Sequence, residues 1–264
     1  MTHIKHENAP DGTRLAYRED GPEETTRCGF FWLGGFKSDM EGSKAEALAA
    51  LARNSRRPGL RFDYSGHGAS GGEFLDGTIS AWLGQALHMF TRKAPGRRVV
   101  VGSSMGGWLA LLLWRELQIR NPRAAARIAG LVLLAPAADM TADLMWDQFP
   151  DPVKAEIAQR GVWQRPSLYG EPYAITARLI EDGRTHLLLP GGLDVSCPVR
   201  ILQGDADPDV PAAHAVKVFG ALRGGDVTLS LIKGGDHRLS SPSNLTLLRE
   251  TVLRLAERAD GITI

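Results

Sequence analysis

Ser104 sits where a serine can act as a nucleophile. It is the centre of Gly102-Ser103-Ser104-Met105-Gly106, a G-x-S-x-G pentapeptide. The β-branched run Val99-Val100-Val101 precedes it and the apolar run Trp108-Leu109-Ala110-Leu111-Leu112-Leu113 follows. Strand, sharp turn and helix in that order are the setting this motif needs, and a chance match in a chain with 30 glycines would lack such flanks. The glycines are there for steric reasons, since backbone must pack closely on both sides of the turn so that the hydroxyl projects free of the sheet. The turn also puts Ser104 at a helix N-terminus, where unpaired N–H groups and the helix dipole favour developing negative charge. A serine hydroxyl is a weak nucleophile at neutral pH. Acyl transfer therefore also needs a base within hydrogen-bond reach and a carboxylate to orient it.

The elements that must hold these groups alternate along the chain. Strands are expected at 13–18, 28–33, 59–62, 98–101, 129–134, 199–202 and 227–231, and helices at 44–52, 78–93, 105–120, 212–222 and 243–258. Repeated βαβ units with right-handed crossovers predict an α/β fold, a mostly parallel sheet with helices on both faces and ligands bound beyond the C-terminal strand ends. The alternation stops after Pro136. Residues 139–192 carry helical patches at 152–160 and 173–181 and no strong strand signal, and read as an inserted helical cap. Its aromatics are Trp146, Phe149, Trp163, Tyr169 and Tyr173. Trp146 and Trp163 are candidates for a substrate-binding wall; the commoner fate of such aromatics is the core of the cap itself. At 264 residues the chain suits one domain, 1–264, with the insertion inside it.

Four stretches together resemble the α/β-hydrolase superfamily: the G-x-S-x-G around Ser104; Leu33-Gly34-Gly35-Phe36, similar to H-G-[FY] with Gly34 in place of the histidine; residues 63–70, similar to D-x-x-G-x-G-x-S; and residues 203–211, similar to H-G-x-x-D-x-x-V-P with Gln203 in place of the histidine. The resemblance implies the order Ser, acid, His, with the histidine in the last loop before the C-terminal helix. His237, in Gly234-Gly235-Asp236-His237-Arg238, fills that place. His3 and His6 lie in an N-terminal stretch expected to be untethered, and His88 and His214 fall within helices; His186, in the cap, is placed to touch a ligand. Asp205, Asp207 and Asp209 all follow the same strand, and the residues alone leave the choice open. The family pattern puts its acid on Asp207, leaving Asp205 as a turn-forming carboxylate and Asp209 as a cap for the next helix. A minority of the family takes its acid after the preceding strand, where this chain has Asp139. The resemblance also implies an oxyanion hole from the backbone N–H groups of Met105 and Phe36, and an architectural role for the 63–70 turn with its His67.

Further stretches resemble one branch, the mitochondrial palmitoyl-protein thioesterase and acyl-glucuronide esterase branch: Arg61-Phe62-Asp63-Tyr64-Ser65-Gly66, residues 101–109, Gly161-Val162-Trp163 with Pro166-Ser167 and Tyr169, Cys197-Pro198-Val199-Arg200, and Asp236-His237-Arg238. The likeness runs from about Cys28 to the C-terminal helix. It implies a serine hydrolase acting on acyl thioesters or carboxylic esters, small molecules or acylated proteins, with an apolar acyl pocket under the cap and no metal or organic cofactor. The same triad on the same fold also serves C–C bond hydrolysis, perhydrolysis and peptide cleavage. A non-catalytic small-molecule-binding module is the alternative from another class. A carboxylate nucleophile, as in epoxide hydrolases and dehalogenases, is disfavoured by Ser104.

Composition agrees with a globular enzyme. Lys+Arg 31 against Asp+Glu 30 gives a net charge of +1, so no global field draws nucleic acid or an anionic membrane to the surface. Cys28 and Cys197 are far apart, without metal spacing, and read as buried free thiols. No stretch reaches the ~20 apolar residues of a membrane span, and the first residues lack the apolar core of a signal peptide, so a cytoplasmic protein is expected.

Overall fold

The computed structural model describes residues 3–22, 25–167 and 170–262. In chain order its elements begin with β1 (Lys5–Asn8), β2 (Arg14–Asp20), β3 (Gly29–Leu33), α1 (Ser43–Asn54), β4 (Gly59–Phe62) and α2 (Ile79–Lys93). β5 (Arg98–Ser103), α3 (Met105–Arg120), α4 (Pro122–Ala125) and β6 (Ile128–Leu134) follow. The segment after β6 holds α5 (Asp151–Arg160), β7 (Val162–Ser167), β8 (Gly170–Thr176), α6 (Ala177–Gly183) and β9 (Leu193–Asp194). The chain then returns through β10 (Val199–Gly204), α7 (Ala212–Ala221), β11 (Leu222–Arg223), β12 (Val227–Ile232) and α8 (Pro242–Ala259).

Eight strands form one sheet in the order β1-β2-β4-β3-β5-β6-β10-β12. The first two pairings are antiparallel and the rest parallel. This is the mostly parallel, helix-flanked sheet expected from the alternating pattern. Period-2 side chains divide it between two cores. Val100, Leu131 and Leu133 face α2 and α3, while Val99, Val101, Val132 and Leu134 face α1 and α8. α3 is buried from Met105 through Trp114, which is why it is apolar all round rather than along one stripe. Two helix starts that border the sheet show local capping chemistry: the Thr78 hydroxyl accepts from Ala81 N–H ahead of α2, and Ser241 accepts from Asn244 N–H ahead of α8, with Pro242 in the first turn.

Two expectations need correction. The N-terminal stretch is tethered: β1 adds an antiparallel edge strand, with His6 opposite Ala16. Four largely exposed polar residues carry no periodic apolar signal, so only their pairing with β2 makes them a strand. The insertion is not purely helical either. Beside α5, α6 and short turns at Thr141–Met145 and Trp146–Gln148 it contains the antiparallel pair β7–β8, with Trp163 opposite Ile175. Pro166 and the polar residues of 162–167 mask that strand, and residues 173–176 belong to β8 rather than to a helix. Tyr169 lies outside the described residues. Among the described residues no helix is long and apolar enough to cross a membrane, and Cys28 and Cys197 are free and buried.

Candidate active site

The turn between β5 and α3 holds Ser104 at φ 54° and ψ −119°, a left-handed conformation that side chains rarely adopt. It persists because its surroundings leave no alternative. A Cβ on Gly102 would lie 2.2 Å from the Gly106 carbonyl oxygen, and one on Gly106 would lie 2.1 Å from that of Leu33. Ser104 N–H donates to Leu134 O at 2.9 Å, and Ser104 O accepts from Gly107 N–H and Ala137 N–H. Neighbouring strands and the first turn of α3 thus hold the strained residue from three sides.

The loop after β12 brings His237 to it. Its Nε2 lies 3.1 Å from Ser104 Oγ and its Nδ1 2.8 Å from Asp207 Oδ2. The carboxylate can only accept, so Nδ1 carries the proton and Nε2 is left to accept from the serine hydroxyl. Asp207 Oδ1 also accepts from the N–H groups of Asp209 and Val210, each at 2.9 Å. Burial is the largest single influence on this carboxyl and pushes its pKa up. The bond and charge of His237 and the two backbone donors outweigh it and hold Asp207 below its ordinary value.

The three carboxylates left open by the residues are now separated. Asp205 lies in the turn after β10, and its carboxylate reaches outward to Lys233 Nζ and Gly234 N–H, joining two loops. Asp209 does not cap α7, whose N-cap is Pro211 with no side-chain bond. Asp139, the alternative acid position, is buried and accepts from Leu188 and Leu189 N–H, where it ties down the end of the insertion. Gln203, in place of a histidine, shares its amide N–H groups among Gly204 O, Val210 O and Asp207 Oδ2 and so braces the loop that carries Asp207. Among the described residues, the side chains whose ligand atoms gather closely enough for a metal are Asp207, Asp209 and His237. The hydrogen bonds of Asp207 and His237 already engage that group.

Met105 N–H opens the first turn of α3, and Phe36 N–H lies in the loop after β3. Neither donates to a protein acceptor among the described residues. The loop lies against the elbow: a Cβ on Gly35 would sit 3.3 Å from Ser103 O and 3.4 Å from Ser104 Cβ. Both N–H groups implied by the resemblance therefore border Ser104.

A cavity of about 930 Å³ opens over Ser104 and His237. Phe36, Ala137, Met140, Leu144, Met145 and Tyr173 line its apolar part. Trp146 and Trp163 do not line it, which corrects the expectation for them. Trp163 packs edge-on against Phe149 at 5.1 Å, inside the insertion, and Trp146 lies beneath Arg184 and Lys154. His186 is also elsewhere, bonded to Ser80 Oγ at 2.7 Å. Sequence reasoning missed the two methionines and Leu144, which sit in an irregular turn without periodicity. Tyr173 was visible only as one of several cap aromatics. Lys44, half-buried in the cavity wall, donates to the Arg238 carbonyl beside His237, and burial pushes its ammonium down to about 8.

Comparison with known proteins shows the family and the fold. The sequence profile of the alpha/beta hydrolase family matches residues 29–245. The mitochondrial palmitoyl-protein thioesterase ABHD10 of Homo sapiens is 32% identical over 263 residues, covering 99% of this chain and 82% of that protein. A putative hydrolase from Agrobacterium vitis S4 superposes with a TM-score of 0.91 at 43% identity, covering 97% of this chain and 99% of the other. Mouse alpha/beta hydrolase domain-containing protein 10 superposes with a TM-score of 0.84 at 30% identity and the same coverage.

Proposed function

The chain belongs to the alpha/beta hydrolase family, and from that premise we propose that it is a serine hydrolase of acyl thioesters or carboxylic esters that works through an acyl-enzyme. The observation that carries this reading is the unbroken relay from Ser104 Oγ through His237 to Asp207, at 3.1 and 2.8 Å, with the imidazole in the tautomer a general base needs.

Ser104 Oγ attacks the acyl carbon as its proton passes to His237 Nε2. The carbonyl oxygen becomes an oxyanion and meets the N–H groups of Phe36 and Met105. Asp207, ionised and held by two backbone donors, stabilises the imidazolium. That imidazolium gives its proton to the departing sulfur or oxygen as the C–S or C–O bond breaks. Water then attacks the acyl-serine by the same route, its proton going to His237 and then to Ser104 Oγ, and the carboxylic acid leaves. The apolar lining from Phe36, Met140, Leu144, Met145 and Tyr173 suits an acyl chain. The palmitoyl-protein thioesterase relatives favour the thioester among the candidate substrates.

A panel of p-nitrophenyl esters and acyl thioesters of increasing chain length tests the reading, run on wild type and Ser104→Ala with fluorophosphonate labelling read by intact mass. Turnover and labelling are both expected in the wild type and absent in Ser104→Ala, with the chain-length optimum reporting the depth of the cavity. A correctly folded wild type that is neither labelled nor active on any member would overturn it in favour of a binding module.

A further inference from the structure

The loop that carries Phe36 N–H has little regular structure of its own. Residues 34–42 begin with two glycines, and Ser38 N–H to Gly35 O at 3.2 Å is a bond inside the turn. Two side chains from the segment after β4 hold it from outside. His67 Nε2 lies 3.1 Å from Lys37 N, and Asp63 Oδ1 lies 2.7 Å from Met40 N.

The chemistry of His67 assigns direction to its bond. Its Nδ1 lies 3.0 Å from the Ser65 carbonyl oxygen, which can only accept, so Nδ1 carries the proton and Nε2 accepts from Lys37 N–H. Only the neutral ring can make both bonds. Burial favours that form, pushing the pKa down against the pull of the Ser65 carbonyl. The ring is packed edge-on by Tyr64, Phe74 and Trp82, with centroids 5.2–5.7 Å away. Phe74 and Trp82 also hold the Phe36 ring, at 5.0 and 5.8 Å. Lys37 adopts φ 56°, which is costly for a side chain and needs an external restraint. Asp63 is itself fixed by Ala69 N–H at 2.8 Å, beside Gly68, where a Cβ would lie 2.1 Å from Asp63 Oδ2.

We propose that His67, with Asp63 at the far end of the loop, is a positioning residue for the oxyanion hole: by fixing the Lys37 amide it fixes the peptide next to Phe36 and so the aim of Phe36 N–H. The assignment rests on the serine hydrolase reading above. It gives the D-x-x-G-x-G-x-S turn a role beyond architecture. His67 holds the donor and does not touch substrate.

The test compares His67→Phe, which keeps the aromatic packing and removes the acceptor, with His67→Gln, whose Oε1 can accept from Lys37 N–H. His67→Phe is expected to lower kcat about 10- to 100-fold with KM changed less than about threefold, somewhat below the cost of deleting an oxyanion donor outright. His67→Gln is expected to return to within about fivefold of wild type. Amide hydrogen exchange over residues 34–40, measured in the Ser104→Ala background, is expected to quicken about tenfold or more in the Phe variant and less in the Gln variant. Unchanged exchange in a folded Phe variant would overturn the clamp whether or not the protein turns over any ester. Quickened exchange with unchanged kcat, or equal loss in both variants, would overturn the positioning role. A wild type without turnover or labelling would instead sink the serine hydrolase reading, and the exchange measurement would still decide whether His67 holds the loop.

Discussion

Two aspartate and histidine sets flank Ser104, one at the end of β10 and β12, the other at the end of β4, and their two carboxyls are shifted in opposite directions. Asp207 and Asp63 are both buried, and each accepts two backbone N–H groups. Asp207 also has His237 against it and is held below its ordinary value. Asp63 has no cation against it among the described residues. Burial, with Asp39 and Glu41 nearby, pushes it up to about 6. The histidines differ in their partners. His237 bridges a carboxylate and a hydroxyl, groups between which a proton can move. Each nitrogen of His67 meets a backbone group whose role as donor or acceptor cannot change. The first set can relay a proton, and the second can only hold a loop. What separates them is the chemistry of their partners rather than residue type or burial.

The largest test of this contrast is loss of the relay. Ser104→Ala and His237→Ala are each expected to lower kcat/KM on p-nitrophenyl esters by on the order of 10⁵ or more, with the double variant no worse, because the residues act as one unit. Asp207→Asn is expected to cost about 10³- to 10⁴-fold, since the amide disfavours the working tautomer, while Asp205→Asn costs less than about twofold. Side-by-side kinetics of the two asparagine variants would show whether the acid is assigned to the right carboxylate. Next comes the wall of the cavity. Tyr173→Ala and Met145→Ala are expected to move the chain-length optimum, with changes of about 3- to 10-fold for long acyl groups. Trp163→Ala should lower the melting temperature and leave that optimum in place, because its ring packs on Phe149 away from the cavity.

The smallest effect is in stability against pH. Asp63 has a folded pKa raised from 3.8 to about 6, so its contribution is present below about pH 4 and lost as the pH rises through about 6. That slope amounts to on the order of 3 kcal/mol at most. Asp207, held low, works oppositely: its contribution is present above the ordinary carboxylate value and lost as the pH falls through its own lowered value. Urea unfolding between pH 3.5 and 7 on wild type and Asp63→Asn is expected to show the first slope flattened in the variant.

Much of the site was legible in the sequence because it is built from neighbours. The G-x-S-x-G turn, its flanking strand and helix, and the alternation that makes the sheet depend on local sterics and on periods of two and 3.6 residues. The family's motif order then pointed to His237 and Asp207. What the sequence left open belonged to segments without a period: the direction of Asp205, Asp207 and Asp209 within one loop, the residues of the insertion that reach the cavity, the pairing of β1, and the bond from Lys37 N–H to His67 in the loop after β3. In an irregular segment a side chain points toward whichever partner satisfies it. Those partners, Lys233 for Asp205, His237 for Asp207 and Lys37 for His67, lie 28 to 30 residues away along the chain. Only the tertiary structure brings them together.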